Sequence, residues 1–283
     1  MEKRILGKTG EQLSIIGFGG IAVSGVEQSE ADALVRESID SGVNYFDVAP
    51  SYGNAQERLG PALEEFRKDV FLACKTTERD KDGAAAELRE SLKMLRTDHF
   101  DLYQLHGMSS EDDLHKAMGQ GGAIEAFVEA REQGLARYLG FSAHSAEVAL
   151  ALMDRFDFDT VLFPINWVCC FNANFGPQVI AKAKDKGMGR LALKAMARTT
   201  REKGVRNEYP KCWYKPVTDP EETALAIRFT LSQPITAAVT PGDSRLLRRA
   251  LDVGNKFQPL TDAEYEDLKR RAEGIEPIFK LGS

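Results

Sequence analysis

Short runs of apolar, β-branched and aromatic residues alternate along this chain with longer stretches in which apolar positions recur every three or four residues. The first run, Ile15-Ile16-Gly17-Phe18-Gly19, precedes a helical pattern over 29–41, with Ser29 as its expected N-cap. Runs at 43–47, 70–75 and 101–106 follow, and helical stretches fit 54–66, 83–95 and 124–133. The second half keeps the rhythm, with β-runs at 136–142, 160–165, 189–194 and 236–240. Its helical stretches fall at 146–154, 177–186, 220–232 and 244–253, and an extra C-terminal helix is expected at 262–273. Eight β-α units at a spacing of roughly 25–35 residues imply an α/β protein with a parallel sheet. Right-handed crossovers favour closure into a (β/α)8 TIM barrel. A doubly wound open sheet fits the alternation equally well, but Gly17-Phe18-Gly19-Gly20 lacks the third glycine of its phosphate fingerprint. That tips the choice to the barrel.

Composition narrows the picture without changing it. At 283 residues and 43% hydrophobic content, the chain suits a single barrel domain over 1–283. A net charge of −6 gives no broad basic field, so neither nucleic acid nor an anionic membrane surface is an expected partner. No stretch approaches the ~20 apolar residues of a bilayer span, and the first residues do not form a signal peptide's apolar core. Cys74, Cys169, Cys170 and Cys212 have no CxxC spacing, so reduced thiols in a cytoplasmic protein are expected. Two connections exceed what packing needs. One is 107–122, rich in Ser, Asp and Gly; the other is 196–219, with Arg198, Arg201, Lys203, Arg206, Lys211 and Lys215. Long βα loops on a barrel are where function usually sits.

Polar residues recur at one topological position. Asp47 ends the second run and Tyr52 follows in its loop, while Lys75, His106 and Ser142 end the third, fourth and fifth. In a barrel these ends converge on the face that carries catalysis. Alone, each has a bland reading: a hydrogen-bonded histidine, an aromatic loop anchor, a structural ion pair. Together they are coherent chemistry. A tyrosine hydroxyl titrates near ~10, too high for efficient proton exchange, and a neighbouring lysine ammonium is expected to lower it. Asp47 would keep that buried lysine charged. His106 would orient a carbonyl oxygen toward Tyr52. With no activated Ser or Cys nucleophile, the set suits protonation of an oxygen that gains charge as hydride reaches its carbon. No side chain supplies hydride, so a cofactor must.

At these residues the chain resembles the aldo-keto reductases. Arg4-Ile5-Leu6-Gly7-Lys8-Thr9-Gly10 and Ser14–Gly19 are similar to that family's opening N-terminal β-hairpin and first strand. Phe46-Asp47-Val48-Ala49-Pro50-Ser51-Tyr52-Gly53-Asn54, then Glu57-Arg58-Leu59-Gly60, resembles its signature segment. The resemblance implies a catalytic tetrad of Asp47, Tyr52, Lys75 and His106, with Tyr52 as proton donor, and NADP (NAD possible) lying across the carboxyl face. It implies that Gly20, Asp47, Ser142, His144, Lys194, Met196, Gly242, Ser244, Arg245 and Arg248 face the cofactor. Several positions depart from the family's pattern. Ala143 stands where Asn commonly holds the carboxamide, Leu162 where Gln is frequent, and Leu193 where an aromatic usually stacks on the nicotinamide. Asp243 opposes a 2′-phosphate that Arg245 and Arg248 would welcome. Some relatives sharing the Gly-Phe-Ser-x-His motif of 140–144 carry a C-terminal iron–sulfur segment. This chain shows no such cysteines, so no cluster is expected.

The substrate implied is a small carbonyl or alcohol, for which Phe18, Trp167, Trp213 and Tyr214 are candidate walls. The altered nicotinamide contacts keep a second reading open, a non-catalytic, cofactor-binding regulatory or redox-sensing barrel. A metal-dependent hydrolase is a third, but His99, His106, His115 and His144 form no convincing ligand set.

Overall fold

The computed structural model describes every residue except Lys203, Val205, Arg206 and Ser283, so Lys203 and Arg206 of the basic connection lie outside the described residues. In chain order the strands are β1 (Lys3–Ile5), β2 (Gln12–Ser14), β3 (Ile16–Gly19), β4 (Tyr45–Asp47), β5 (Phe71–Thr76), β6 (Phe100–Met108), β7 (Ala136–Ala143), β8 (Thr160–Pro164), β9 (Gly189–Leu193), β10 (Ala197–Thr200), β11 (Tyr214–Pro216) and β12 (Ala237–Val239). The helices are α1 (Gln28–Asp40), α2 (Ala55–Leu63), α3 (Lys81–Met94), α4 (Glu111–Met118), α5 (Ala123–Glu132), α6 (Ala146–Arg155), α7 (Trp167–Ala173), α8 (Pro177–Asp185), α9 (Pro220–Ser232), α10 (Ser244–Asn255) and α11 (Asp262–Ala272).

Strands β3 to β9 pair in parallel in sequence order, and β12 bridges β9 and β3 to close the ring. This is the (β/α)8 barrel. Its interior is a compact cluster in which Tyr45, Phe71, Ala73, Leu102, Leu162, Leu191 and Ala237 point inward from their strands. Leu6 and Leu13 join it from the antiparallel β1–β2 hairpin, so the hairpin plugs one end of the barrel. A larger apolar layer lies between strands and helices, as a sheet buried on both faces requires.

Local signals explain most boundaries. Asp80, Ser110, Ser145, Asp219 and Thr261 each accept a backbone N–H from the first turn of the helix that follows. Ser29 does not do so. Helix α1 begins at Gln28, which puts Ser29 inside the first turn. The connection over 107–122 is not an open loop either, because Ser110 and its acidic followers build α4 there. Within 196–219, β10 and β11 pair antiparallel as a second hairpin. No helix among the described residues is long and apolar enough to cross a membrane.

Leu6 is fully buried against Gly189, whose own side-chain space it fills. Leu6→Ala should cost about 2–5 kcal/mol of unfolding free energy, because a plug residue leaves a cavity that strands cannot collapse to fill. Urea unfolding checks this, with the midpoint falling and the slope unchanged.

Candidate active site

The carboxyl ends of the strands surround a cavity of about 210 Å³. Its walls include Asp47, Tyr52, Lys75, His106, Ser142 and His144 from the strand ends, with Lys211, Trp213 and Tyr214 from the hairpin side. Two other depressions, about 320 Å³ beside the hairpin loop and about 700 Å³ among residues such as Asn44, Arg67 and Asp101, contain none of these strand-end residues.

Asp47 and Lys75 end adjacent parallel strands, Asp47 opposite Ala73, and both are almost wholly buried. The Lys75 ammonium forms an ion pair with Asp47 Oδ1 and lies 3.4 Å from the Val48 carbonyl. The other carboxylate oxygen accepts from Tyr45 Oη at 3.2 Å and from Gln104 Nε2 at 3.0 Å. Tyr45 and Gln104 are therefore part of the site, although sequence reading passed over them as strand interior. Inward-facing polar groups two positions from a functional residue were the available signal.

Burial is the largest influence and works against a charged Lys75, but Asp47, with Tyr52 and Cys74 adding to it, turns the net shift upward. Tyr52 packs beside this pair, with the ammonium 5.4 Å from its ring centroid. The expected lowering of the Tyr52 pKa is not what results. Desolvation raises it, the Lys75 charge and hydrogen bond pull it down, and Asp47 raises it again, so the net shift is upward. The phenol keeps its proton at neutral pH.

The His106 ring lies edge-on to Tyr52, with centroids 5.7 Å apart, and its Nδ1 is 3.4 Å from Ser51 Oγ. Burial, then the positive charge of Lys75, brings its pKa down to about 3, which makes it a neutral imidazole. Arg79 fixes the strand end by donating to the His106 carbonyl at 2.7 Å while held by Asp113. His144 is likewise depressed, to about 4, chiefly by burial, and stacks on Phe279 from the C-terminal tail at 5.2 Å.

Other expected residues separate into two groups. Ser142 faces the cavity, and its Oγ accepts the Gly107 N–H at 2.8 Å, leaving its own hydrogen to donate. Gly242 lines it too, in a position where a Cβ would meet Ile21 and Lys211. Gly20 packs on Val48 and Asp47 with no room for a side chain. Met196 is buried in the apolar layer between sheet and helices, away from the cavity wall. At the start of α10, the Asp243 carboxylate caps the helix that Ser244 opens, taking the Arg245 N–H. The Arg245 guanidinium is bound to Asp243 and that of Arg248 to Glu37. Phe18 and Trp167 are not cavity walls. Phe18 packs on Phe46, and Trp167 is buried in a separate cluster with Phe229 and Leu268.

The model of the aldo/keto reductase family matches residues 15–272, and the chain belongs to that family. Over 99% of both chains it is 27% identical to the uncharacterized oxidoreductase YqkF of Bacillus subtilis (strain 168). It is 28% identical to L-galactose dehydrogenase of Arabidopsis thaliana, over 70% of this chain and 66% of that protein. Among solved structures, the holo form of a Bacillus halodurans aldo-keto reductase superposes with a TM-score of 0.76 at 22% identity, covering 98% of each chain.

A histidine whose folded pKa is about 3 binds fewer protons than its unfolded form, which titrates near ~6.5. Its contribution is therefore neutral above that value and increasingly destabilising as pH falls toward the folded value. Between about pH 7 and 5 this amounts to roughly 2 kcal/mol. In His106→Asn the stability lost over that interval, read by urea unfolding at both pH values, should shrink by about this amount. An unchanged loss would show that the imidazole is already charged in the native state.

Proposed function

We propose that the protein is a nicotinamide-dependent oxidoreductase interconverting the carbonyl of an aldehyde, ketone or sugar with its alcohol, with Tyr52 as proton donor. The observation that carries this reading is the buried Lys75–Asp47 pair set against a protonated phenol at the cavity wall. NADPH or NADH, when bound, would supply the hydride that the carbonyl carbon takes up. As the carbonyl oxygen gains charge, Tyr52 gives up its hydroxyl proton to it. The resulting phenolate is stabilised by the Lys75 ammonium, which Asp47 keeps charged throughout. His106, neutral and with Nδ1 facing the Ser51 hydroxyl, offers Nε2–H to the same oxygen and holds it at the phenol. Burial of the Lys75–Asp47 pair keeps water away from that side of the phenol.

The residues present fit the nicotinamide end of the cofactor. Ser142 has a hydroxyl hydrogen free for an amide carbonyl, and the tight approach at Gly242 leaves a bare backbone for a ligand's close contact. Lys211 lines the same wall, and beyond its bond to the Ala22 carbonyl its ammonium has further N–H groups to offer a phosphate. The adenosine end is less selective, because Arg245 and Arg248, expected to face it, are already held by Asp243 and Glu37. A 2′-phosphate must compete with those carboxylates.

Mixing the protein with NADPH and a panel of aldehydes, ketones and sugars, and following reduced-cofactor absorbance, tests the reading. Tyr52→Phe should lower kcat by about 10²–10⁴ while cofactor binding persists. Undiminished turnover would remove Tyr52 from its role, and tight cofactor binding without any turnover would favour a regulatory barrel. Because both arginines are carboxylate-bound, NADPH and NADH should bind within about tenfold of each other by titration of intrinsic fluorescence.

A further inference from the structure

Lys194 follows β9 in a left-handed backbone conformation, with φ at 68°. Its carbonyl is pinned there by Asn166 Nδ2 at 3.0 Å and by the Ala197 N–H at 2.9 Å. A non-glycine residue held in this region is strained, and such strain gathers where a side chain must be aimed. Here the amine is aimed into the cavity wall, 5.4 Å from the Trp213 ring centroid and 5.1 Å from that of Tyr214.

The cavity's three lysines have different fates. Lys75 is matched by Asp47, and Lys211 donates to the Ala22 carbonyl at 2.6 Å. Among the described residues, the Lys194 ammonium makes no hydrogen bond and no ion pair. Asp47 is the only carboxylate among the described lining residues, and it is committed to Lys75. Burial, with Lys75 adding to it, pulls the Lys194 amine down to about 8, so it remains mostly charged at neutral pH. Two ring faces give it partial compensation. A part-buried ammonium on the cavity wall still lacks an anion. Its field also reaches the imidazoles of His106 and His144, so the charge sits within range of the reacting end. Phe279, stacked on His144 and edge-on to Trp213, extends an apolar wall beside it.

We infer that Lys194 is the counter-ion for a carboxylate on the substrate, so that the cavity takes an aldehyde or ketone bearing an acid group in preference to its neutral analogue. The inference rests on the carbonyl-reduction reading above. It moves Lys194 from the cofactor, where the family resemblance placed it, to the substrate. The carbonyl is held at Tyr52 and His106, the acid at Lys194, and the carbon body between them lies on the Trp213–Phe279 wall.

The test compares 4-carboxybenzaldehyde with 4-methylbenzaldehyde in the wild type and in K194M, at saturating NADPH. Wild type should favour the acid by about tenfold or more in kcat/KM, and K194M should lose that ratio, mainly through KM of the acid. A wild-type preference for the neutral aldehyde overturns the inference. So does an equal loss on both substrates accompanied by weaker NADPH binding, which would return Lys194 to the cofactor. Calorimetric titration of benzoate against benzamide into both proteins reads the anion site without turnover. Benzoate selectivity that vanishes in K194M supports the site even if neither aldehyde is reduced, an outcome that would sink the carbonyl-reduction reading instead. Equal binding of benzoate and benzamide to wild type would sink the anion site alone.

Discussion

A single ion pair inside the barrel mouth, Lys75 with Asp47, constrains everything around it. Two charges taken from water are costly, and only good geometry with further hydrogen bonds repays the desolvation. The fold meets this demand by ending β4 and β5 side by side and by adding Tyr45 and Gln104 as donors to the free oxygen of the carboxylate. The acid is thereby held by three groups from three neighbouring strands. The ammonium in turn sets the charge states of its surroundings: it opposes protonation of His106 and offsets part of the desolvation of Tyr52. A neutral imidazole beside a protonated phenol is the state from which a proton can be given to an oxygen.

The barrel was legible in the sequence because its signals are periodic and repeat eight times, so errors at single boundaries did not disturb the architecture. The four strand-end residues were legible for the same reason, since chain order and topology place them together. What was not legible depended on spatial neighbours. Tyr45 and Gln104 looked like strand interior because their partner, Asp47, is reached only once the strands are side by side. Helix α4 was hidden in a Ser/Asp/Gly-rich stretch whose capping chemistry was read as loop composition. The Tyr52 pKa was misjudged in direction because one favourable charge was weighed without the burial that accompanies it. Trp167 and Phe18, taken as wall candidates, belong to apolar clusters that form only when helices and strands meet.

Charge is distributed unevenly between the two ends of the site. Near α10 every expected cation is already satisfied within the chain: Arg245 by Asp243, Arg248 by Glu37. At the strand end an amine on a strained backbone, Lys194, is left to its aromatic neighbours. Carboxylates thus hold the two arginines at the helix start, while the lysine at the strand end is left without one. Leu162 and Leu193 present apolar barrel wall to the same cavity.

The hairpin side of the cavity is fastened by two cations that both grip main-chain oxygens, Lys211 the carbonyl of Ala22 and Arg245 that of Glu208. A clasp of this kind does not depend on the identity of the side chain at either receiving position. Sequence drift at the exposed residue 208 leaves its bond available, whereas drift at 211 or 245 to a residue without a donor removes one outright. Tolerance to change is thus lopsided across the clasp: it is found at the exposed Glu208, while packing restricts the buried Ala22 and the donors at 211 and 245 carry the bonds themselves.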